Sequence, residues 1–104
     1  MNPRVRFEDE ADIEYRLAGR WYETRREQLG LEFFDAVDAA IAQILEFPRS
    51  GSAVPRVPAD LQVRRLPVSR FPYHVVYLAT ASHLRILAVA HDRRKPGYWK
   101  SRLG

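Results

Sequence analysis

Arg64, Arg65, Arg70, Arg93, Arg94 and Lys95 carry the densest positive charge in the chain, and His74 and His91 stand among them. Guanidinium groups clamp phosphates through paired N–H donors and stabilise charge that builds on phosphorus. An imidazole titrates near neutrality and moves the proton of a ribose 2′-hydroxyl or a leaving 5′-oxygen. The cluster closes on Pro96-Gly97-Tyr98-Trp99, where rings beside cations suit stacking on bases and a phenol can join a proton transfer. Each residue also has a plainer reading. A single arginine is most often solvated surface, and a strand-borne histidine is often structural, the reading favoured for His74 and left open for His91. His83 lies near a turn and is expected to be exposed. Trp99 is expected to be core, while Tyr98 stays open between core and site.

Charge is divided along the chain. Glu8 to Glu46 holds eleven acidic residues against four arginines, whereas Arg49 to Gly104 holds only Asp60 and Asp92 against eleven Lys and Arg. A formal net charge of +4 therefore hides an acidic half and a basic half, and the basic half suits a polyanionic or acidic partner. A chain of 104 residues is read as one domain, 1–104, with a single core. It has no cysteine, which excludes disulfides, thiol nucleophiles and Cys-type zinc sites. Asp92 alternates away from His91, and no cofactor or metal site is expected. No apolar run is long enough to cross a bilayer. The opening MNPRVRFEDE lacks the apolar segment of a secretory signal, so a cytoplasmic location is expected. No glycine-rich phosphate loop or serine elbow supports nucleotide hydrolysis or acyl transfer.

The elements that must position the cluster follow from periodicity. Arg4–Phe7 reads as a short strand, placed at a sheet edge by Pro3. Glu8, Asp9, Glu10 and Asp12 suit a helix N-terminus, and three-to-four spacing of apolar residues carries that helix to about Gln28, where Gly30 should break it. A second helix, Leu31–Glu46, bears the wide stripe Phe33, Phe34, Val37, Ala40, Ile41, Ile44 and Leu45, and Pro48 ends it. Glu23, Glu27 and Asp38 read as solvated, and Glu10 and Glu14 suit surface pairing with Arg16 and Arg20. Pro48–Asp60 is a loop by composition. Strands are expected at Leu61–Leu66, Phe71–Ala79 and His83–His91, with links short enough to force antiparallel pairing. Adjacent Arg64 and Arg65 must then point to opposite faces.

The order is β-α-α-β-β-β, an α+β fold in which an antiparallel sheet carries an α-helical hairpin on one face. Both faces of the central strands are partly apolar, yet two helices cover only one. Either the C-terminal tail or a partner chain must cover the other.

Four segments together resemble the ParE/RelE toxin superfamily of bacterial type II toxin–antitoxin systems. They are VRFEDEADIEYRLAGRWYE, GLEFFDAVDAAIAQILEFP, RRLPVSRFPYHVVY and AVAHDRRKPGYW, and they span nearly the whole chain. The combination of RFPY-x-VVY with AVAH-x-RR-x-PGYW is the specific part. The resemblance implies a toxin neutralised by a cognate antitoxin whose C-terminal segment covers apolar surface. It also offers two activities. RelE-like members cleave mRNA on the ribosome without metal, which would assign catalysis to His91, Arg94 and Tyr98. ParE-like members poison DNA gyrase, which would make Arg65, Arg70, Arg93, Arg94, Lys95 and Tyr98 target-binding residues. The ribonuclease branch has an arginine directly after the tyrosine of its third strand, and here that residue is His74. It also spaces lysines on alternate residues where Arg64 and Arg65 adjoin. The resemblance therefore leans to gyrase. A ribosome-dependent nuclease, or a degenerate module that only binds antitoxin, is the alternative.

Overall fold

A computed structural model describes residues 4–103, apart from the side chain of Ala59. Strand β1 (Val5–Phe7) leads into helix α1 (Asp9–Arg25), then α2 (Leu29–Glu46), and strands β2 (Ser52–Ala53), β3 (Val63–Pro67), β4 (Tyr73–Ala79) and β5 (Leu84–His91) follow. Short 3-10 turns occupy Ala59–Leu61 and Lys100–Leu103. The sheet order is β1-β5-β4-β3-β2, so β1 lies at an edge as its sequence suggests. Pro3, the residue behind that expectation, is outside the described residues.

The three C-terminal strands pair antiparallel, as their short links require. Two features add to the expected sheet. β1 pairs parallel with β5, Val5 opposite Leu84 and Phe7 opposite Ile86, so the sheet is mixed. No tight turn joins these two strands, since both helices and strands β2, β3 and β4 lie between them in the chain. The proline-rich loop also contributes β2, with Ser52 opposite Arg65 and Ala53 opposite Arg64.

The helical hairpin breaks earlier than Gly30. Arg26 is extended and Gln28 is left-handed (φ 74°), which ends α1 and starts α2 at Leu29. Gly30 lies inside α2 because the helices touch there: a Cβ on Gly30 would meet the Gly19 carbonyl oxygen at 2.6 Å. Glu23, expected to be solvated, caps α2 instead. It accepts hydrogen bonds from the amides of Gln28 and Gly30, both at 3.0 Å, where the helix exposes unpaired N–H groups. Asp38 likewise accepts the Tyr15 hydroxyl at 3.1 Å.

Two cores flank the sheet. Phe33, Val37, Ile44, Val75, Tyr77, Ile86 and Val89 pack beneath the helices. Val63, Val76, Leu87, Ala88 and Ala90 pack on the other face beneath Trp99, with Val54, Val57 and Leu103 around them. The tail and the β2–β3 loop are thus the second cover that the strand pattern demands. Tyr77 ties the loop down, donating to the Pro48 carbonyl (2.7 Å) and accepting from the Gly51 amide (3.0 Å).

β5 contains a bulge. Tyr77 faces Ile86 but Val76 faces Ala88, leaving Leu87 as the extra residue. Leu87 and Ala88 both join the tail-side core, and alternation resumes with opposite parity. Strict alternation along the strand would set Leu84, Ile86, Ala88 and Ala90 against Leu87, Val89 and His91. The bulge moves Ala88 and Ala90 to the tail side and Val89 to the helix side.

Candidate functional site

β3, β4 and β5 form the floor of a groove of about 640 Å³ on the tail side of the sheet. Segment 52–56 forms one wall and segment 94–100 the other. Arg65 rises from β3 opposite Val76, and His74 rises from β4 opposite Ala90. Arg64, on the opposite parity, donates to the Gly51 carbonyl at 2.8 Å and serves the loop. The expected division of Arg64 from Arg65 is what the register produces.

Asp92 follows β5, its amide donating to the Pro72 carbonyl at 2.9 Å. Its carboxylate lies 2.9 Å from Nδ1 of His74, whose side chain is 14% exposed. A carboxylate only accepts, so Nδ1 carries the proton and Nε2 holds the lone pair in the neutral ring. Beyond Asp92 the tail winds through short turns: Arg94 N to His91 O at 3.0 Å, Tyr98 N to Lys95 O at 3.2 Å and Lys100 N to Gly97 O at 3.0 Å. Gly97 has φ +80°, which a side chain resists.

The Arg94 guanidinium lies 3.9 Å above the Tyr98 ring. The Tyr98 hydroxyl donates to Oε2 of Glu14 on α1 at 2.6 Å. Burial first, and then the bond to Glu14, hold that phenol well above the usual tyrosine range. Arg102 completes the anchor, reaching the two Glu14 oxygens at 3.0 and 3.1 Å and the Leu87 carbonyl at 2.9 Å.

Four of the sequence-derived candidates, Arg65, Arg94, Lys95 and Tyr98, line this groove. Three others lie elsewhere. Arg70 pairs with Glu32 of α2 at 2.8 Å. Arg93 is exposed, and its amide donates to Nδ1 of His91 at 3.0 Å. His91 shares the helix side with Tyr73, ring centroids 5.1 Å apart in edge-to-face contact. The two histidines therefore do not share a face, because the Leu87 bulge reverses the parity that would have aligned them. His74, which reads as structural in the sequence, and Arg56, Asp92 and Lys100, which are not among the site candidates there, also border the groove. Strand parity puts His74 on the tail side. No short-range signal pairs it with a residue eighteen positions on.

Exposed apolar surface is concentrated on the helical layer. Ile13, Leu17 and Trp21 recur every four residues along α1 and all face solvent, with Arg25 stacked 4.3 Å over the Trp21 ring.

Residues 5–96 match the family described as ParE toxin of type II toxin-antitoxin system, parDE. The chain belongs to the ParE toxin family. A solved structure entitled "Chromosomal ParDE TA system from P. aeruginosa" shares the fold, with a TM-score of 0.68 at 16% identity. That superposition covers 84% of this chain and 92% of the other. No curated protein is significantly similar in sequence. Family membership makes the protein a type II toxin and makes an antitoxin its partner.

Proposed function

We propose that this ParE toxin acts in the cytoplasm by binding and poisoning DNA gyrase, and that its cognate antitoxin neutralises it. One observation carries the choice of contact over catalysis. The side chains assigned to RNA cleavage are not assembled: His91 turns to the helix side, and the Tyr98 hydroxyl is committed to Glu14. Arg94 remains at the groove, where a guanidinium alone binds but moves no proton. The exposed Ile13–Leu17–Trp21 stripe supports a protein partner, since contiguous apolar surface marks interaction sites.

Purified toxin added to gyrase and relaxed plasmid should block supercoiling and accumulate cleaved DNA. Equal supercoiling rates with and without excess folded toxin would end the gyrase reading. A ribosome-dependent nuclease keeps one observation in its favour, the His74 ring oriented by Asp92 with Nε2 free to accept a proton. Codon-linked mRNA cleavage by the wild type that His74→Ala abolishes would establish it.

A further inference from the structure

We propose that the groove binds the phosphodiester backbone of a single DNA strand. The choice of DNA rests on the gyrase reading; the choice of a phosphate chain rests on the groove itself.

Arg56, Arg65, Arg94, Lys95 and Lys100 border the groove, and none forms an ion pair among the described residues. Arg16, Arg26, Arg70, Arg85 and Arg102 are each matched with a carboxylate, and Arg6, Arg20, Arg25, Arg49 and Arg93 are unmatched among the described residues but lie outside the groove, so what marks this set is its clustering in one concavity. The carboxylate at the groove, Asp92, accepts a hydrogen bond from His74 and offsets one of these positive charges. A concave surface holding several uncompensated cations raises the local concentration of anions. Stacking on Tyr98 also limits the freedom of Arg94, so less side-chain entropy is lost when its N–H groups meet a phosphate.

The shape favours a chain that lies between two walls on a strand floor. Exposed apolar side chains at the groove are limited to small wall residues, Ala53, Pro55 and Pro96. Val76, Ala90 and Trp99 are packed into the tail-side core. Nor is there an open platform for bases, because Arg94 covers one face of the Tyr98 ring and Trp99 is buried. What remains is recognition of the backbone, without sequence preference.

The test is fluorescence anisotropy with a labelled mixed-sequence single-stranded DNA dodecamer, titrated with the full-length toxin across a salt series. Five phosphate contacts predict a log–log salt slope of about −3.5, so affinity should fall about 130-fold between about 50 and 200 mM salt. Lys95→Gln with Lys100→Gln leaves three contacts, and the fall should shrink to about twentyfold. Both lysines are exposed, so this variant keeps the fold. Arg65→Ala with Arg94→Ala should behave alike, with thermal melting confirming that it is folded. No binding at the lowest salt, or a slope unchanged in both variants, overturns the proposal. Polyglutamate of equal charge binding as tightly also overturns it, in favour of an acidic peptide. Wild type that binds the strand but leaves gyrase untouched refutes the gyrase reading and keeps the site. Full gyrase inhibition by variants that no longer bind the strand keeps the gyrase reading and removes the groove's role in it.

Discussion

Glu14→Ala should loosen the C-terminal tail and remove a large part of the stability of this protein. Glu14 is the acceptor on which α1, β5 and the tail converge. It takes the Tyr98 hydroxyl at 2.6 Å, both terminal nitrogens of Arg102 at 3.0 and 3.1 Å, and the Val89 amide at 3.1 Å. The Glu14 and Arg102 side chains are only 17% and 11% exposed, so water replaces the lost carboxylate poorly. Breaking one side of a buried pair costs about 3–5 kcal/mol. Arg102 keeps its bond to the Leu87 carbonyl, which lowers that cost, while the orphaned Val89 amide adds about 1 kcal/mol. The net loss should be about 3 kcal/mol against a total of about 5–15 kcal/mol for a domain of this size. In a urea titration that moves the midpoint down by about 2 M at an m-value near about 1.5 kcal/mol/M. Glu14→Gln keeps the shape and one acceptor and should lose about half as much. Tryptophan fluorescence localises the effect: with Trp21→Phe as background, Trp99 should shift to the red in Glu14→Ala before global unfolding. A midpoint within about 0.5 M of wild type would refute the claim that this carboxylate anchors the tail.

Three further outcomes follow from the same geometry. Gly30→Ala should lower stability by about 1–2 kcal/mol even though alanine favours helix, because its Cβ would meet the Gly19 carbonyl at 2.6 Å; a raised melting temperature would contradict this. Leu17→Glu places a charge in the exposed α1 stripe and should weaken antitoxin binding on the order of a hundredfold in calorimetry, with stability changed by under about 0.5 kcal/mol. Undiminished affinity would place the antitoxin elsewhere. Tyr15, Tyr22, Tyr73 and Tyr98 all hold their protons more tightly when folded, chiefly through burial. Their contribution is therefore complete below the ordinary tyrosine value of 10.0 and is lost as pH rises above it, so the urea midpoint should fall in alkali and fall less in Tyr98→Phe. A midpoint that climbs above that pH would reverse the sign.

Much of the fold is legible because local rules decide it. The apolar stripe of α2 and the alternation of Tyr73, Val75 and Tyr77 against His74, Val76 and Leu78 both reproduce the burial observed. The need for a second cover over the sheet could be argued from that alternation alone, and Trp99 supplies it. The illegible parts depend on contacts between distant residues. Gly30 resembles a helix stop, and only its approach to Gly19 explains a glycine inside α2. Glu14 and Glu23 look like surface acids, yet one anchors a tail 88 positions away and the other caps the next helix. The candidate site was half legible. Charge density pointed to Arg65, Arg94 and Lys95, but it could not separate them from Arg70, whose partner Glu32 lies on another element.

The Leu87 bulge decides which side chains of β5 face the groove. Suppose β5 continued unbulged from the Tyr77–Ile86 pair. Val89 would then oppose His74, and His91 would come to the tail face with it. Two imidazoles on one cationic surface would make a plausible acid–base pair. The extra residue prevents this and brings other benefits to the packing. Ala88 and Ala90, the small residues of the run, arrive under Trp99, where a larger side chain would displace the indole. Val89 goes to the helix-side core, and its amide meets Glu14 at 3.1 Å. Bulges near a site re-aim side chains at the expense of regular pairing. Here the re-aiming brings Ala88 and Ala90 to the tail-side core and leaves His74 as the one imidazole bordering the groove among the described residues. His91, which the unbulged strand would bring beside His74, packs against Tyr73 on the helix side instead.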